Sequence, residues 1–239
     1  MYVDEIPAVK NIIIAHRGAW KEFNLPQNSI ASLQQAIKLG CFGSELDVHL
    51  TADEIIVVNH DAEFFNQHIE TSNYKELLKH QLFNGENIPK LEDCIIECLK
   101  NNTTKLIIEL KASEINKSRT LLLAKSIIKL VNQLKAQHIV EFISFDFDAC
   151  LYIIQNLQNA KVAYLSNDKP IVQLAHLGLY AISFHYKEFL NKPEIIADAI
   201  KLRLTVKSWT VNNKQIFISL KNKGLSYITT DKPEQFLKI

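Results

Sequence analysis

Glycine and proline are scarce in this 239-residue sequence, at six each, and neither clusters. A chain so poor in turn-forming residues has no Gly/Ser-rich or Pro-rich linker and no low-complexity segment, so a single domain over residues 1–239 is expected. Cysteine is also rare: Cys41, Cys94, Cys98 and Cys150 form no Cys-x-x-Cys pair. That excludes the dense disulfide framework of small secreted domains and leaves buried free thiols, which favours a cytoplasmic setting. Cys94 and Cys98 share a helix face at i, i+4, but two thiols without a histidine pair make a poor metal site.

An excess of charge of either sign is missing as well. Lys+Arg number 27 and Asp+Glu 26, a net +1, so no positive field is available to hold nucleic acid or an anionic membrane. The expected partner is a small molecule recognised locally. The longest stretch without Asp, Glu, Lys or Arg, residues 170–186, is interrupted by Gln173, His176, Gly178 and His185, so no integral membrane segment is expected. Residues 1–10 contain Asp4, Glu5 and Pro7 and lack a basic region followed by an apolar stretch, so no signal peptide is expected either. What is present is a globular composition, 47% hydrophobic and 22% charged, with enough apolar residues for a sizeable core.

Short runs rich in Ile, Val and Phe alternate with helical patterns. Strands are predicted over residues 11–16, 42–49, 105–111, 139–145, 161–165, 181–185, 205–211 and 227–230. Helices are predicted over 29–39, 91–100, 117–136, 147–157, 170–176, 193–202, 214–221 and 233–238. Eight βα units in this length point to an α/β fold of one closed (β/α)₈ TIM barrel. Periodicity alone is equally compatible with an open doubly wound sheet, but Gly18 stands alone after the first strand, where that fold carries a Gly-rich phosphate turn. Residues 54–59 follow the second strand too closely for a parallel crossover and are predicted to return as a hairpin arm, with a small cap over the mouth at residues 64–87.

Side chains at the C-terminal ends of barrel strands converge on one mouth. The first strand ends in His16-Arg17-Gly18, the second carries Glu45 and Asp47 on one face, and the third ends in Glu109-Leu110-Lys111. Three converging carboxylates repel unless a cation neutralises them, and hard oxygen ligands suit Mg²⁺, Ca²⁺ or Mn²⁺. Glu45, Asp47 and Glu109 are therefore candidate metal ligands; the plain alternative is that they are solvated strand ends or pair with Arg17 and Lys111. The returning arm finishes at His60-Asp61, which brings His60 toward Glu45 and His16. Two imidazoles beside a cation and Arg17 suit phosphoryl chemistry: one takes a proton from the attacking oxygen and the other gives one to the departing alkoxide. Asp61 is assigned to a backbone turn. His68, His80, His138 and His176 are assigned to the surface. His49 shares parity with Glu45 and Asp47 but lies beyond them in the hairpin. Trp209 ends the seventh strand as a pocket wall or a core residue, and Asp231 reads as the N-cap of a last helix with Pro233 in its first turn.

The ordered set HRG (16–18), PQNS (26–29), ELDVHLTAD (45–53), VVNHD (57–61), IELK (108–111), WTVN (209–212) and TDKP (230–233) resembles the glycerophosphodiester phosphodiesterase family over nearly the whole chain. The resemblance implies a phosphatidylinositol-phospholipase-like barrel that hydrolyses glycerophosphodiesters to glycerol 3-phosphate and an alcohol. It implies His16 and His60 as the acid/base pair, and one divalent cation, Mg²⁺ or Ca²⁺, on Glu45, Asp47 and Glu109. Phosphate contacts fall to Arg17 and Lys111, with Trp209 beside the substrate. It also implies attack by the glycerol 2-hydroxyl through a cyclic phosphate. Three positions depart from the family pattern: Gln27 replaces Glu, residues 62–67 replace an Arg-Thr pair after His60-Asp61, and Leu225-Ser226 replaces Asp-Gly. Two other readings remain at this point: phospholipase D-like action on lysophospholipids, and a phosphoester-binding protein without catalysis.

Overall fold

Successive side chains of residues 43–50 point alternately to two buried environments. Leu46, Val48 and Leu50 join the large apolar core shared with the helices, while Glu45, Asp47 and His49 are buried on the opposite face. That alternation recurs on the neighbouring strand, where Leu106, Ile108 and Leu110 lie in the helix-side core and Ile107 lies in a second cluster with Ile14, Ile143, Ala163, Leu165, Ala181 and Tyr227. Strands buried on both faces belong to a parallel sheet covered by helices outside and filled by its own side chains inside.

The computed structural model describes residues 11–239; the expectation for residues 1–10 lies outside the described residues. In chain order the elements are β1 (Ile13–Ala15), α1 (Ile30–Lys38), β2 (Gly43–Leu50), β3 (Ile56–Val58), β4 (Glu63–Phe64), β5 (Gln67–His68), α2 (Tyr74–Leu77) and α3 (Leu91–Asn101). There follow β6 (Lys105–Leu110), α4 (Lys117–Gln133), β7 (Val140–Ser144), α5 (Phe147–Asn156), β8 (Val162–Tyr164) and α6 (Ile171–His176). The chain ends with β9 (Ala181–His185), α7 (Tyr186–Asn191), α8 (Glu194–Lys201), β10 (Thr205–Trp209), α9 (Lys214–Asn222), β11 (Tyr227–Thr230) and α10 (Pro233–Phe236). Strands β1, β2, β6, β7, β8, β9, β10 and β11 pair in parallel. The ring closes because β1 pairs with β11 on one side (Ile13↔Ile228, Ala15↔Thr230) and with β2 on the other (Ile14↔Gly43). The fold is the expected TIM barrel, not the open sheet.

The arm after β2 forms as predicted: β3 pairs antiparallel with β2, His49 opposite Val57. The segment beyond it builds a small core of its own from Val57, Phe64, Ile69, Leu77 and Ile88. None of the residues lining the mouth cavity comes from 64–87. Two carboxylates fasten it: Glu86 accepts the Ile30 and Ala31 N–H groups at the start of α1, and buried Glu70 accepts from Arg119 Nε at 3.1 Å. β1 is shorter than predicted, and α7 was not anticipated; it starts where the His185 side chain accepts from the Lys187 N–H.

Two local features place the first mouth loop. Ser29 caps α1 by accepting from the Ser32 N–H at 3.0 Å while Ser32 Oγ accepts from the Ser29 N–H, an arrangement worth about 1 kcal/mol. Gly18 adopts a φ of +84°, and a Cβ there would lie 2.7 Å from the Ser32 carbonyl carbon, so only glycine lets the loop lie against the helix start.

Inside the barrel, buried Lys207 pairs with buried Glu141, and the Tyr180 and Tyr227 rings flank the ammonium at 5.8 and 5.6 Å. Lys207→Met leaves the Glu141 charge with only Lys161, 3.7 Å from its other oxygen. It is expected to cost about 3 kcal/mol in urea unfolding, with most of the loss recovered in the Glu141→Leu/Lys207→Met double variant. A single variant as stable as wild type would show that the pair does not hold the interior.

Candidate active site

Barrel closure sets the two ends of the chain side by side. Asp231, the residue after β11, meets His16, the residue after β1, across 215 positions of sequence: Nδ1 of His16 lies 2.6 Å from Asp231 Oδ1. The other Asp231 oxygen accepts from Asn212 Nδ2 at 2.7 Å, and Asn212 Oδ1 accepts the Asp231 N–H at 2.9 Å. Burial raises the Asp231 carboxyl, but the hydrogen bond and charge of His16 and the Asn212 amide outweigh it and hold the group below the usual aspartate range. An ionised carboxylate can only accept, so Nδ1 carries the hydrogen and, in the neutral ring, Nε2 is left as a free base. Asp231 is thus not the N-cap expected from sequence; Lys232 occupies that position, without a side-chain cap.

The three predicted metal ligands converge. Oxygen atoms of Glu45, Asp47 and Glu109 lie within 4.8 Å of one another, because Asp47 pairs directly with Glu109 in the β2–β6 ladder and Glu45 points the same way two residues earlier. Lys111 Nζ bridges Asp47 at 2.8 Å and Glu109 at 2.7 Å. Asp47 also accepts from Asn28 Nδ2 at 2.8 Å and lies 3.4 Å from Arg17 Nε. Burial opposes the ionisation of Asp47, but Lys111, Asn28 and Arg17 together hold its carboxyl low. Glu45 is different: burial, then the charges of Asp47 and Glu109, push its carboxyl well above the usual range. Glu109 is raised by burial and by Asp47. Lys111 is raised because these two carboxylates outweigh its burial.

Two cations therefore face three carboxylates, and the remainder falls on Glu45. Its Oε2 accepts the Arg17 N–H at 2.9 Å, whereas its buried Oε1 has no hydrogen-bond partner. An all-oxygen cluster with an orphaned buried carboxylate oxygen is the donor set that a hard divalent cation fits.

All but one of the predicted residues line one 150 Å³ cavity at the mouth: His16, Arg17, Glu45, His60, Glu109, Lys111 and Trp209 reach it, and Asp47 is not among its lining residues. Trp209 donates its indole N–H to the Ser183 carbonyl at 2.8 Å and meets Phe145 edge-on at 5.6 Å, so its ring is a fixed wall. His60 is 36% exposed, with Nδ1 2.7 Å from Asp61 Oδ1; Asp61 turns its carboxylate to that ring as well as taking part in the turn. Gln27 accepts from the Arg17 guanidinium at 3.0 Å, which an amide oxygen does as a carboxylate would. Burial pushes the His49 imidazole below its ordinary range. A larger groove, 720 Å³, opens at the opposite end of the barrel beside Lys105, His138 and Lys161, but among the described residues no such convergence of carboxylates and imidazoles occurs there. Sequence reasoning missed Asp231, Asn212 and Asn28 as site residues.

The profile of the glycerophosphoryl diester phosphodiesterase family matches residues 16–235. This chain belongs to that family. Members are phosphoric diester hydrolases, and the match runs from the first site histidine past Asp231. A protein from Caldanaerobacter subterraneus subsp. tengcongensis named glycerophosphodiester phosphodiesterase is 28% identical over 245 residues, covering 97% of this chain and 98% of that one. A glycerophosphodiester phosphodiesterase from Parabacteroides distasonis superposes with a TM-score of 0.91 at 36% identity, covering 95% of each chain. An Oleispira antarctica phosphodiesterase, solved with its product sn-glycerol-3-phosphate, shares the fold with a TM-score of 0.83 at 23% identity over 95% of each chain.

The lowered Asp231 carboxyl sets a pH dependence for this diester hydrolase. A group depressed on folding stabilises the native state above its unfolded value, near ~3.9, and that contribution is lost as pH falls through the lower folded value. The stability gap between wild type and Asp231→Asn is expected to be full at neutral pH and to close on acidification below about pH 4. Urea unfolding at stepped pH checks this; a gap that stays constant throughout would contradict it.

Proposed function

We propose that this enzyme hydrolyses small water-soluble glycerophosphodiesters to glycerol 3-phosphate and an alcohol, with His16 and His60 as the proton-transfer pair and a divalent cation on Glu45, Asp47 and Glu109. The observation that carries the reading is the contact of His16 Nδ1 with Asp231, at a cavity that His16 lines together with His60, Arg17 and Lys111. A divalent cation bound there supplies positive charge against the nonbridging phosphate oxygens.

Arg17 and Lys111 bind the phosphate and orient phosphorus toward the imidazoles. The glycerol 2-hydroxyl attacks phosphorus as His16 Nε2 accepts its proton. The bond from phosphorus to the alcohol oxygen breaks, and that oxygen takes a proton from His60. Water then opens the cyclic phosphate with the roles reversed: His60 accepts a proton from water, and His16 returns its proton to the 2-oxygen. Trp209 bounds the glycerol side and limits the water that enters. The four buried, unpaired cysteines support a reducing, cytoplasmic location.

Purified protein is expected to release glycerol 3-phosphate from glycerophosphocholine, to stop with EDTA, and to recover with Mg²⁺ or Ca²⁺. His16→Ala and His60→Ala should each lower kcat by roughly 10² to 10⁴. Turnover that survives complete chelation ends the metal assignment, and wild-type rates in both variants end the two-histidine mechanism. Protection against heat by the diester without any product would instead identify a binding protein.

A lysophospholipid is the second reading, favoured by one feature. Four exposed phenylalanines, Phe23, Phe65, Phe83 and Phe145, all lie on segments between a strand's C-terminal end and the next barrel helix, and Phe145 lines the cavity. No helix among the described residues is long and apolar enough to cross a membrane. The kcat/KM for glycerophosphocholine is expected to exceed that for lysophosphatidylcholine; the opposite order replaces the first reading with the second.

A further inference from the structure

We propose that His49 is a positioning residue for the hydrolysis: its imidazole N–H holds the peptide of His60, fixing where the His60 ring meets the phosphate. The inference rests on the proton-transfer role proposed for His60.

His49 is the third inward-facing side chain of β2 after Glu45 and Asp47, is 6% exposed, and belongs to no part of the carboxylate cluster. The β2–β3 register sets it opposite Val57, so the arm runs back past it along β2, and the His60 peptide still lies within reach of the His49 side chain. Nε2 of His49 lies 3.3 Å from the His60 carbonyl oxygen. A carbonyl only accepts, so this nitrogen carries the hydrogen, and the contact selects that state of the ring. The same corner is held from both sides: the Asn59 N–H donates to the Asp47 carbonyl at 3.0 Å, and the Asn59 amide donates to the carbonyls of Asp61 at 2.8 Å and Glu63 at 3.1 Å.

His60 needs this support because its side-chain partner is a weak anchor. Asp61 is 76% exposed, so water competes for its carboxylate. A hydrogen bond made from inside the barrel keeps its geometry when the substrate enters. A displacement of about 1 Å at a reacting group costs on the order of 10² in rate, far more than the loss of one long hydrogen bond costs in folding.

The test is a double-mutant cycle on glycerophosphocholine hydrolysis with His49→Leu, His60→Ala and the pair, together with His49→Gln and His49→Asn. Glutamine carries a carboxamide N–H to about the reach of Nε2; asparagine falls short. His49→Leu is expected to lower kcat by roughly 10- to 100-fold with KM within about threefold of wild type, and to add no further loss in the His60→Ala background. His49→Gln should restore kcat to within about threefold of wild type, and His49→Asn should not. If His49→Leu does not fold, the Gln/Asn contrast carries the test. Losses that multiply in the double variant, or equal rates in the Gln and Asn variants, overturn the positioning role. A wild-type rate in His60→Ala removes the role of His60 itself, whereas a depressed His60→Ala with an unaffected His49→Leu removes only the inference about His49.

Discussion

Three residues, Ile13–Ala15, close the barrel, and the site depends on that closure. β1 hydrogen-bonds to β11 and to β2 at once, so the loop that follows it is held between the last and second strands. His16 thereby meets Asp231 on one side and approaches Glu45 to 4.0 Å on the other. An open sheet built from the same elements would leave those groups on opposite edges. The geometry of the candidate site is a property of the ring rather than of any single βα unit.

Electrostatic balance in the mouth follows from the same ring. Parallel pairing of β2 with β6 aligns Asp47 with Glu109, an arrangement that is repulsive until cations are placed against it. Lys111 directly follows the strand that carries Glu109, and Arg17 reaches over from the β1 loop with its own φ at +56°. These two cations leave one carboxylate oxygen, on Glu45, buried and unpartnered. The interior beneath is settled differently: Glu141 meets buried Lys207 with one oxygen and lies 3.7 Å from Lys161 with the other. A neutralised carboxylate below and an acidic remainder above set the barrel interior apart from the candidate site.

Much of this was legible in the sequence. Apolar alternation and the spacing of βα units predicted the strands, polar groups at the ends of three apolar strands predicted the carboxylate cluster and His16, and the returning arm brought in His60. The hairpin arm followed from a connection too short to cross over. Trp209 was readable as a wall or a core residue, and its indole bond to Ser183 makes it both ordered and cavity-lining. Illegible were the groups that hold the candidate site residues. Asp231 carried a capping pattern, Asn212 and Asn28 looked like loop residues, and Gln27 looked like a lost charge, yet each donates to or accepts from a named site group.

The division has a physical cause. Strand period, charge and residue type are local, so the sequence by itself determined which face of each strand is polar, how many barrel units there are, and which side chains are candidates for phosphoryl transfer. Closure of the sheet, the pairing of His16 with a residue 215 positions away, the orphaned oxygen of Glu45 and the contact of His49 with the His60 carbonyl arise between strands that are distant in sequence. Hydrogen bonds depend on distance and direction in space, and only the tertiary structure sets those.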